Sequence, residues 1–158
     1  MIYFLAAAAL VALVQYTKLA IRSTLELGEQ LTLLPGVLGL TYVQNTGMAF
    51  SSLSGATWFL TLVSLAASIA VAVMLLRNHP FSHPFGKWTL ALILAGAVGN
   101  LIDRFFLHYV TDMIQVLFVN FAVFNVADCC VVVGGFLLAV YVLKLRSEER
   151  RVGKECRS

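Results

Sequence analysis

The chain has 158 residues, 60% of them hydrophobic and 12% charged, with a formal net charge of +3. Soluble domains are about 45–50% apolar and about 25% charged, so this composition argues against a soluble enzyme, a disordered chain or a nucleic-acid-binding protein. Three cysteines do not supply a disulfide framework, and one compact membrane domain is the size class that remains.

Four apolar blocks follow one another along the chain, at residues 2–21, 58–76, 88–107 and 121–145. A bilayer core of about 30 Å needs roughly 20 helical residues, so each block is long enough to span. The first block is an alternative candidate for a cleaved signal peptide, but no Lys or Arg precedes Lys18 and no cleavage site follows. The sequence therefore predicts a mainly α polytopic membrane protein with four transmembrane helices.

The segment 22–57 between the first two helices is more than a linker. Residues 38–43 and 48–53 have strand-like composition and are separated by the turn sequence QNTG. A small extracytoplasmic β-sheet is therefore predicted there. At the other end of the chain, seven of the twelve residues 147–158 are charged. This tail is predicted to be disordered or foreign, which leaves residues 1–146 as a single domain.

Basic residues near the helix ends indicate how the chain crosses the membrane. The helix ends on one side of the membrane carry Arg77, Lys87, Lys144 and Arg146. The helix ends on the other side carry Lys18, Arg22 and Arg104. Because cytoplasmic ends carry the excess of Lys and Arg, both termini are predicted to be cytoplasmic. Segments 22–57 and 108–120 then lie outside.

Asp112 and Asp128 are the acidic residues that are predicted to take part in a reaction. Asp128 lies seven residues into the fourth block, about 10 Å from its outer end, and Asp112 lies in the loop on the same side. An ionisable group in a membrane span costs about 2.5–3.5 kcal/mol and usually has a function. Two close carboxylates can hold one proton and activate a water, as in aspartic peptidases. The alternative is that Asp128 is neutral or bonds to a neighbouring helix.

Two stripes of small and polar residues predict that the third and fourth helices face each other. One stripe holds Gly96, Asn100 and Asp103, and the other holds Asn125, Asp128, Val132 and Gly135. Arg104 is predicted to keep its neighbour Asp103 ionised. This pair is assigned to site support or to a substrate headgroup.

The histidines do not predict a metal site. His79 and His83 have helical spacing, but a proline follows each of them and no third ligand is near. His108 is interpreted as a surface loop residue, and Cys129 and Cys130 as small packing residues.

Four motifs make the chain resemble the lipoprotein signal peptidases, also called signal peptidase II. They are QYTK at 15–18, NTGMAF at 45–50, GNLIDR at 99–104 running on to VTD at 110–112, and FNVAD at 124–128. The resemblance extends from about residue 14 to residue 145. The last two motifs together are highly specific, whereas NTGMAF alone is weak.

The resemblance implies an aspartic endopeptidase of the bacterial cytoplasmic membrane that cuts before a cysteine carrying diacylglycerol. Its substrate is a diacylglyceryl prolipoprotein, it works among membrane lipids as a monomer, and it needs no metal or organic cofactor. The implied catalytic pair is Asp112 and Asp128. The residues that match positions for substrate binding or site support are Gln15, Lys18, Asn45, Gly47, Asn100, Asp103, Arg104 and Asn125.

Two positions depart from the family pattern. Val14 stands where the first motif begins with an aspartate, and His108 stands where a glycine is usual shortly before the first catalytic aspartate. A catalytically weakened homologue that acts as a lipoprotein-binding scaffold is therefore one alternative. A small proton-coupled transporter is another, but it predicts carboxylates near the midplane and an internal repeat, and the sequence has neither.

Overall fold

The computed structural model of the protein describes residues 1–47, 57–77, 81 and 83–145. These residues form four helices and three strands. In order they are α1 (Ile2–Thr24), β1 (Gln30–Leu34), β2 (Leu38–Asn45), α2 (Thr57–Arg77), α3 (Pro84–Leu107), β3 (Val110–Val116) and α4 (Val126–Val140), which continues into a π-helical turn at Tyr141–Leu145.

The four helices of the described residues are all long and apolar enough to cross a membrane. Their lipid-facing sides are rich in exposed large side chains, such as Leu62 on α2 and Phe105 and Phe106 on α3. α3 is the most enclosed, with ten buried residues, because α1, α2 and α4 all pack against it. The predicted mainly α, four-helix membrane architecture is confirmed.

The three strands form one antiparallel sheet in the order β1-β2-β3. β2 lies in the centre, with Leu40 paired to Leu31 of β1 and to Ile114 of β3. Tyr42 and Met113 pack on Ile21 and Leu25 at the end of α1, so the sheet covers one end of the bundle. We call this the sheet end; the C-termini of α1 and α3 and the N-terminus of α4 meet there.

The prediction of a strand over residues 38–43 is confirmed, and that strand extends to Asn45. The second predicted strand, residues 48–53, lies outside the described residues. β1 and β3 were not predicted: residues 110–116 were assigned only to an outer loop. β3 pairs with β2 because α3 returns the chain to the sheet end immediately before it.

α4 begins at Val126, five residues later than the apolar block suggested. Phe124 is held in extended form by backbone hydrogen bonds with Ile114, and Asn125 caps the helix. The Asn125 side-chain oxygen accepts from the backbone N–H groups of Ala127 and Asp128, while Oδ2 of Asp128 accepts from the Asn125 N–H. This capping box places Asp128 in the first turn, about 4 Å along the helix, which corrects the predicted depth of about 10 Å.

α3 and α4 face each other, as the two stripes predicted. A Cβ on Gly96 would clash with the carbonyl oxygen of Ala127, so only glycine permits this approach. Gly134 is the close-contact glycine of α4, since its Cβ would lie 2.7 Å from Cγ1 of Ile93. Gly135 was placed in this stripe by sequence but meets nothing within 4 Å.

His108 ends α3 in the left-handed backbone region, with φ 63° and ψ 14°. Glycine is usual at such a helix end because an L side chain is strained there. The side chain is exposed, as predicted for a surface loop residue. His108 therefore adopts a backbone conformation that usually belongs to glycine.

Candidate active site

A cavity of about 520 Å³ opens at the sheet end. Its wall combines the helices α3 and α4 and the strands β2 and β3 with Gly47 and the extended segment before α4. The residues that line it are Asn45, Gly47, Asn100, Arg104, Val110, Asp112, Phe121, Ala122, Val123, Phe124, Asp128, Cys129, Val132 and Val133. Polar groups are thus few and gathered in a mostly apolar wall, which is the usual composition of a ligand site.

Asp112 and Asp128 reach this cavity from two different elements, β3 and the first turn of α4. Asn125 links them: its Nδ2 donates to Oδ1 of Asp112 at 2.6 Å, and its backbone N–H donates to Oδ2 of Asp128 at 3.0 Å. Asn45 also donates to Asp112, at 2.9 Å, and Asn100 donates to Asp128, at 2.7 Å. Each carboxylate therefore keeps at least two amide donors beside the cavity.

Asp112 as a whole residue is only 2% exposed. Burial raises the pKa of Asp112 to about 6, and the neighbouring Asp128 charge acts in the same direction. The hydrogen bonds from Asn125 and Asn45 and the charge of Lys18 oppose this rise. Asp112 thus holds a proton at a pH where an ordinary aspartate has lost it.

Asp103 is paired with Lys18, and this corrects the prediction that Arg104 holds it. Lys18 Nζ lies 2.9 Å from Oδ2 of Asp103, and both side chains are almost fully buried. Arg104 instead lines the cavity, and its Nη1 donates to Oγ of Ser64 on α2 at 3.2 Å. The side chains of successive helical residues point about 100° apart, so Asp103 and Arg104 contact different neighbours.

The remaining sequence-predicted site residues divide by position. Asn45 and Gly47 lie on the cavity wall, where the Asn45 side-chain oxygen accepts from the Gly47 N–H at 2.9 Å. Gln15 lies behind the wall and donates to the carbonyl oxygen of Gly99 at 2.8 Å. Residues 48–50 of the NTGMAF motif are outside the described residues.

Val14 packs against α3 at the position where the family motif has an aspartate. The side chain is 1% exposed, and Cγ1 would lie 2.9 Å from a Cβ on Gly99. Val14 is not among the residues that line the cavity. Val14 therefore contributes to helix packing behind the site and not to the cavity wall.

Sequence reasoning missed the contacts of Arg22 and Ser64. Arg22 Nη1 donates to Oγ1 of Thr111 at 2.9 Å and lies 3.9 Å from Oδ1 of Asp103. Ser64 is one of several similar hydroxyls in an apolar helix, so no local pattern marks it. His83, by contrast, has a structural role: its Nδ1 accepts from the Phe85 N–H and caps α3. His79 lies outside the described residues.

This arrangement can perform acid–base chemistry on a bound carbonyl. One carboxyl holds a proton near pH 6 while its neighbour accepts hydrogen bonds from Asn100 and from backbone. A protonated and an ionised carboxyl in one cavity can activate a water and protonate a leaving group.

Comparison with known proteins shows the family of this chain. The family model described as signal peptidase (SPase) II matches residues 6–144. The lipoprotein signal peptidase of Enterococcus faecalis is 40% identical over 142 residues, which are 90% of this chain and 88% of that protein. The lipoprotein signal peptidase of Streptococcus pyogenes serotype M5 is 44% identical over 135 residues, covering 85% and 88% of the two chains.

Solved structures with the same fold are also known. A bacterial membrane enzyme structure at 2.3 Å superposes with a TM-score of 0.84 and 30% identity, covering 92% of this chain and 90% of that chain. A second bacterial membrane enzyme structure, at 1.9 Å, gives a TM-score of 0.80 and 30% identity over 90% and 92% of the two chains.

Proposed function

Because the chain belongs to the signal peptidase II family, we propose that it is an aspartic endopeptidase that removes the signal peptide from diacylglyceryl prolipoproteins. The cut falls just before the lipidated cysteine. The observation that carries the aspartic assignment is the meeting of Asp112 and Asp128 in one cavity, bridged by Asn125.

In the proposed mechanism Asp112 begins protonated and Asp128 ionised. Asp128 takes a proton from a water as the water oxygen attacks the scissile carbonyl carbon, and Asp112 donates its proton to the carbonyl oxygen. The tetrahedral intermediate then collapses. Asp128 protonates the leaving nitrogen, the C–N bond breaks, and Asp112 recovers its proton from the hydroxyl. The pair ends in its starting state, and no covalent enzyme intermediate or metal is required.

The proposed supporting residues fall into two groups, those that line the cavity and those that lie behind its wall. Asn45, Gly47, Asn100 and Arg104 line the cavity and are assigned to substrate contact. Gln15, Lys18, Asp103 and Asn125 are assigned to holding the wall, since they bond to α3, β3 and the two carboxylates. The apolar part of the wall suits a lipid-modified substrate that arrives laterally from the bilayer. Val132 and Val133, both exposed on α4, belong to this apolar part.

The proposed orientation places the sheet end outside the cytoplasmic membrane and both termini inside. Arg77 at the end of α2 and Lys87 near the start of α3 lie at the opposite end from the cavity, as positive charge on the cytoplasmic side requires. One chain supplies both carboxylates of the cavity, and the proposed enzyme acts as a monomer among membrane lipids. Residues 1–146 form the proposed peptidase domain.

The proposal is tested with purified protein in lipid–detergent micelles. The native chain is mixed with a prolipoprotein that carries diacylglycerol on its cysteine, and with the same prolipoprotein without lipid. Mass spectrometry of the products locates the cut. We expect release of the signal peptide immediately before the cysteine from the lipidated substrate only.

Two outcomes would overturn the proposal. Cleavage of neither substrate refutes the peptidase activity and, if the lipidated substrate still binds, favours the scaffold alternative that Val14 suggested. Cleavage at the native rate by a folded Asp112→Asn or a folded Asp128→Asn variant refutes the aspartic mechanism.

A further inference from the structure

Lys18 is a fully buried cation in a membrane helix, with 0% of its side chain exposed. Its ammonium lies 2.9 Å from Oδ2 of Asp103, 2.8 Å from Oδ1 of Asn100 and 3.3 Å from the carbonyl oxygen of Gly99. Three acceptors match the three protons of an ammonium, so its donating capacity is used completely. It is not among the residues that line the cavity, so its effect on the reaction must pass through its neighbours.

The contact with Asn100 fixes which way that amide points. Because Oδ1 of Asn100 accepts from Lys18, and also from Asn125 at 3.2 Å, its NH₂ group is turned to the opposite side. There it donates to Oδ1 of Asp128 at 2.7 Å. Without the ammonium, only the longer hydrogen bond from Asn125 would hold the Asn100 oxygen in this orientation.

The contact with Asp103 extends to the other carboxylate. Oδ2 of Asp103, which Lys18 holds, also accepts from the backbone N–H of Thr111 at 2.9 Å. Thr111 immediately precedes Asp112 on β3, so this bond fixes the start of the strand that carries Asp112.

We propose that Lys18 is a positioning residue that sets the geometry of both carboxylates at once, of Asp128 through Asn100 and of Asp112 through Asp103 and Thr111. This role rests on the proposed function. The simpler account is that Lys18 only neutralises the buried charge of Asp103.

A pair of double variants separates the two accounts. Lys18→Met alone leaves Asp103 as a buried uncompensated charge, so loss of folded protein is expected and decides nothing. Lys18→Met with Asp103→Asn removes both charges, and the new amide oxygen can still accept from Thr111. Lys18→Gln with Asp103→Asn is equally neutral but restores one donor for Asn100. Thr17→Val is the control on α1, because among the described residues the Thr17 side chain bonds to the Val14 carbonyl oxygen of its own helix and to no site residue.

Cleavage of diacylglyceryl prolipoprotein is then measured per folded enzyme. We expect kcat of Lys18→Met/Asp103→Asn to fall by about 100-fold with KM within about threefold, because a misplaced catalytic group costs rate and not binding. Lys18→Gln/Asp103→Asn is expected to recover at least about tenfold of that loss. Thr17→Val is expected to stay within about twofold of native.

Three results would overturn the positioning role. Native kcat in Lys18→Met/Asp103→Asn would show that charge neutralisation was the whole function. Equal kcat in the two double variants would show that the donor to Asn100 does not matter. If neither double variant folds, Lys18 serves the fold alone. A native chain that cleaves nothing overturns the proposed function as well, which distinguishes the two failures.

Discussion

The side-chain amide of Asn125 donates a hydrogen bond of 2.6 Å to Oδ1 of Asp112, from the residue that also caps α4. Its oxygen accepts from the backbone of Ala127 and Asp128, and its second amide proton goes to Asn100. All hydrogen-bonding positions of this buried amide are therefore occupied. The residue that caps α4 therefore also holds both carboxylates in place.

The pH dependence of cleavage should report the Asp112 proton. As pH rises through about 6, Asp112 ionises and kcat/KM of the free enzyme should fall. The groups that face it are Asp128, which raises this pKa, and Lys18, Asn125 and Asn45, which lower it. Asn45→Ala removes one donor to the ionised form, so the alkaline limb should move up by about one pH unit.

Gln44→Ala is the control for this shift, because Gln44 is exposed and donates to the Tyr42 hydroxyl instead. Its pH profile should match that of the native chain. The same midpoint in Asn45→Ala and the native chain would contradict the assignment of the limb to Asp112.

Asp112 should also make stability depend on pH. Its folded pKa of about 6 exceeds the unfolded value of 3.8, so the folded state binds the proton more tightly. The destabilisation is therefore absent below about pH 4 and complete above about pH 6. Two pKa units correspond to about 3 kcal/mol at most. Asp112→Asn should accordingly be more stable than native at pH 8, by about 1–3 kcal/mol, and this gain should vanish near pH 4.

Denaturant unfolding in micelles at both pH values measures this difference. Asp103→Asn is the contrasting variant: it leaves Lys18 buried without its charge partner and should lose about 3–5 kcal/mol at pH 8. A stability gain for Asp112→Asn that is equal at pH 4 and pH 8 would refute the linkage.

His108→Gly should stabilise the protein by about 1 kcal/mol, because His108 occupies a left-handed conformation that costs an L residue about that amount. His108→Ala removes the imidazole but keeps the backbone strain, so it should remain close to native. The denaturation midpoints of the three proteins measure the effect. Equal gains in both variants would place the cause in the imidazole and not in the backbone.

The adjacent glycines of α4 should respond oppositely to alanine. A Cβ on Gly134 would lie 2.7 Å from Cγ1 of Ile93 and 3.2 Å from the Thr89 carbonyl oxygen, so Gly134→Ala should cost about 1–3 kcal/mol. Gly135 has nothing within 4 Å, and Gly135→Ala should gain up to about 1 kcal/mol through helix propensity. Thermal unfolding of both variants tests this, and changes of the same sign would contradict the packing of α3 on α4.

Some of this structure follows directly from sequence, and the exceptions have physical causes. Hydropathy alone predicts the four helices, since the bilayer demands their length. Hydropathy does not locate the start of α4. The helix begins only after Phe124, which pairs in extended form with Ile114, and after the capping residue Asn125, although both lie within the fourth apolar block. Arg104 was the predicted partner of Asp103 because it is the next residue in the sequence. Side chains of consecutive helical residues point in different directions, however, and the partner is Lys18, which is 85 positions away. β3 was missed because its pairing with β2 depends on where α3 delivers the chain.

The central claim is that Asp112 and Asp128 together hydrolyse the peptide bond. The most direct test is single-turnover cleavage of diacylglyceryl prolipoprotein by the native chain, Asp112→Asn and Asp128→Asn, each first shown to be folded by its unfolding transition. We predict that the native chain releases the signal peptide and that each variant is slower by about 10³-fold or more. A folded variant that cleaves within tenfold of the native rate would contradict the claim.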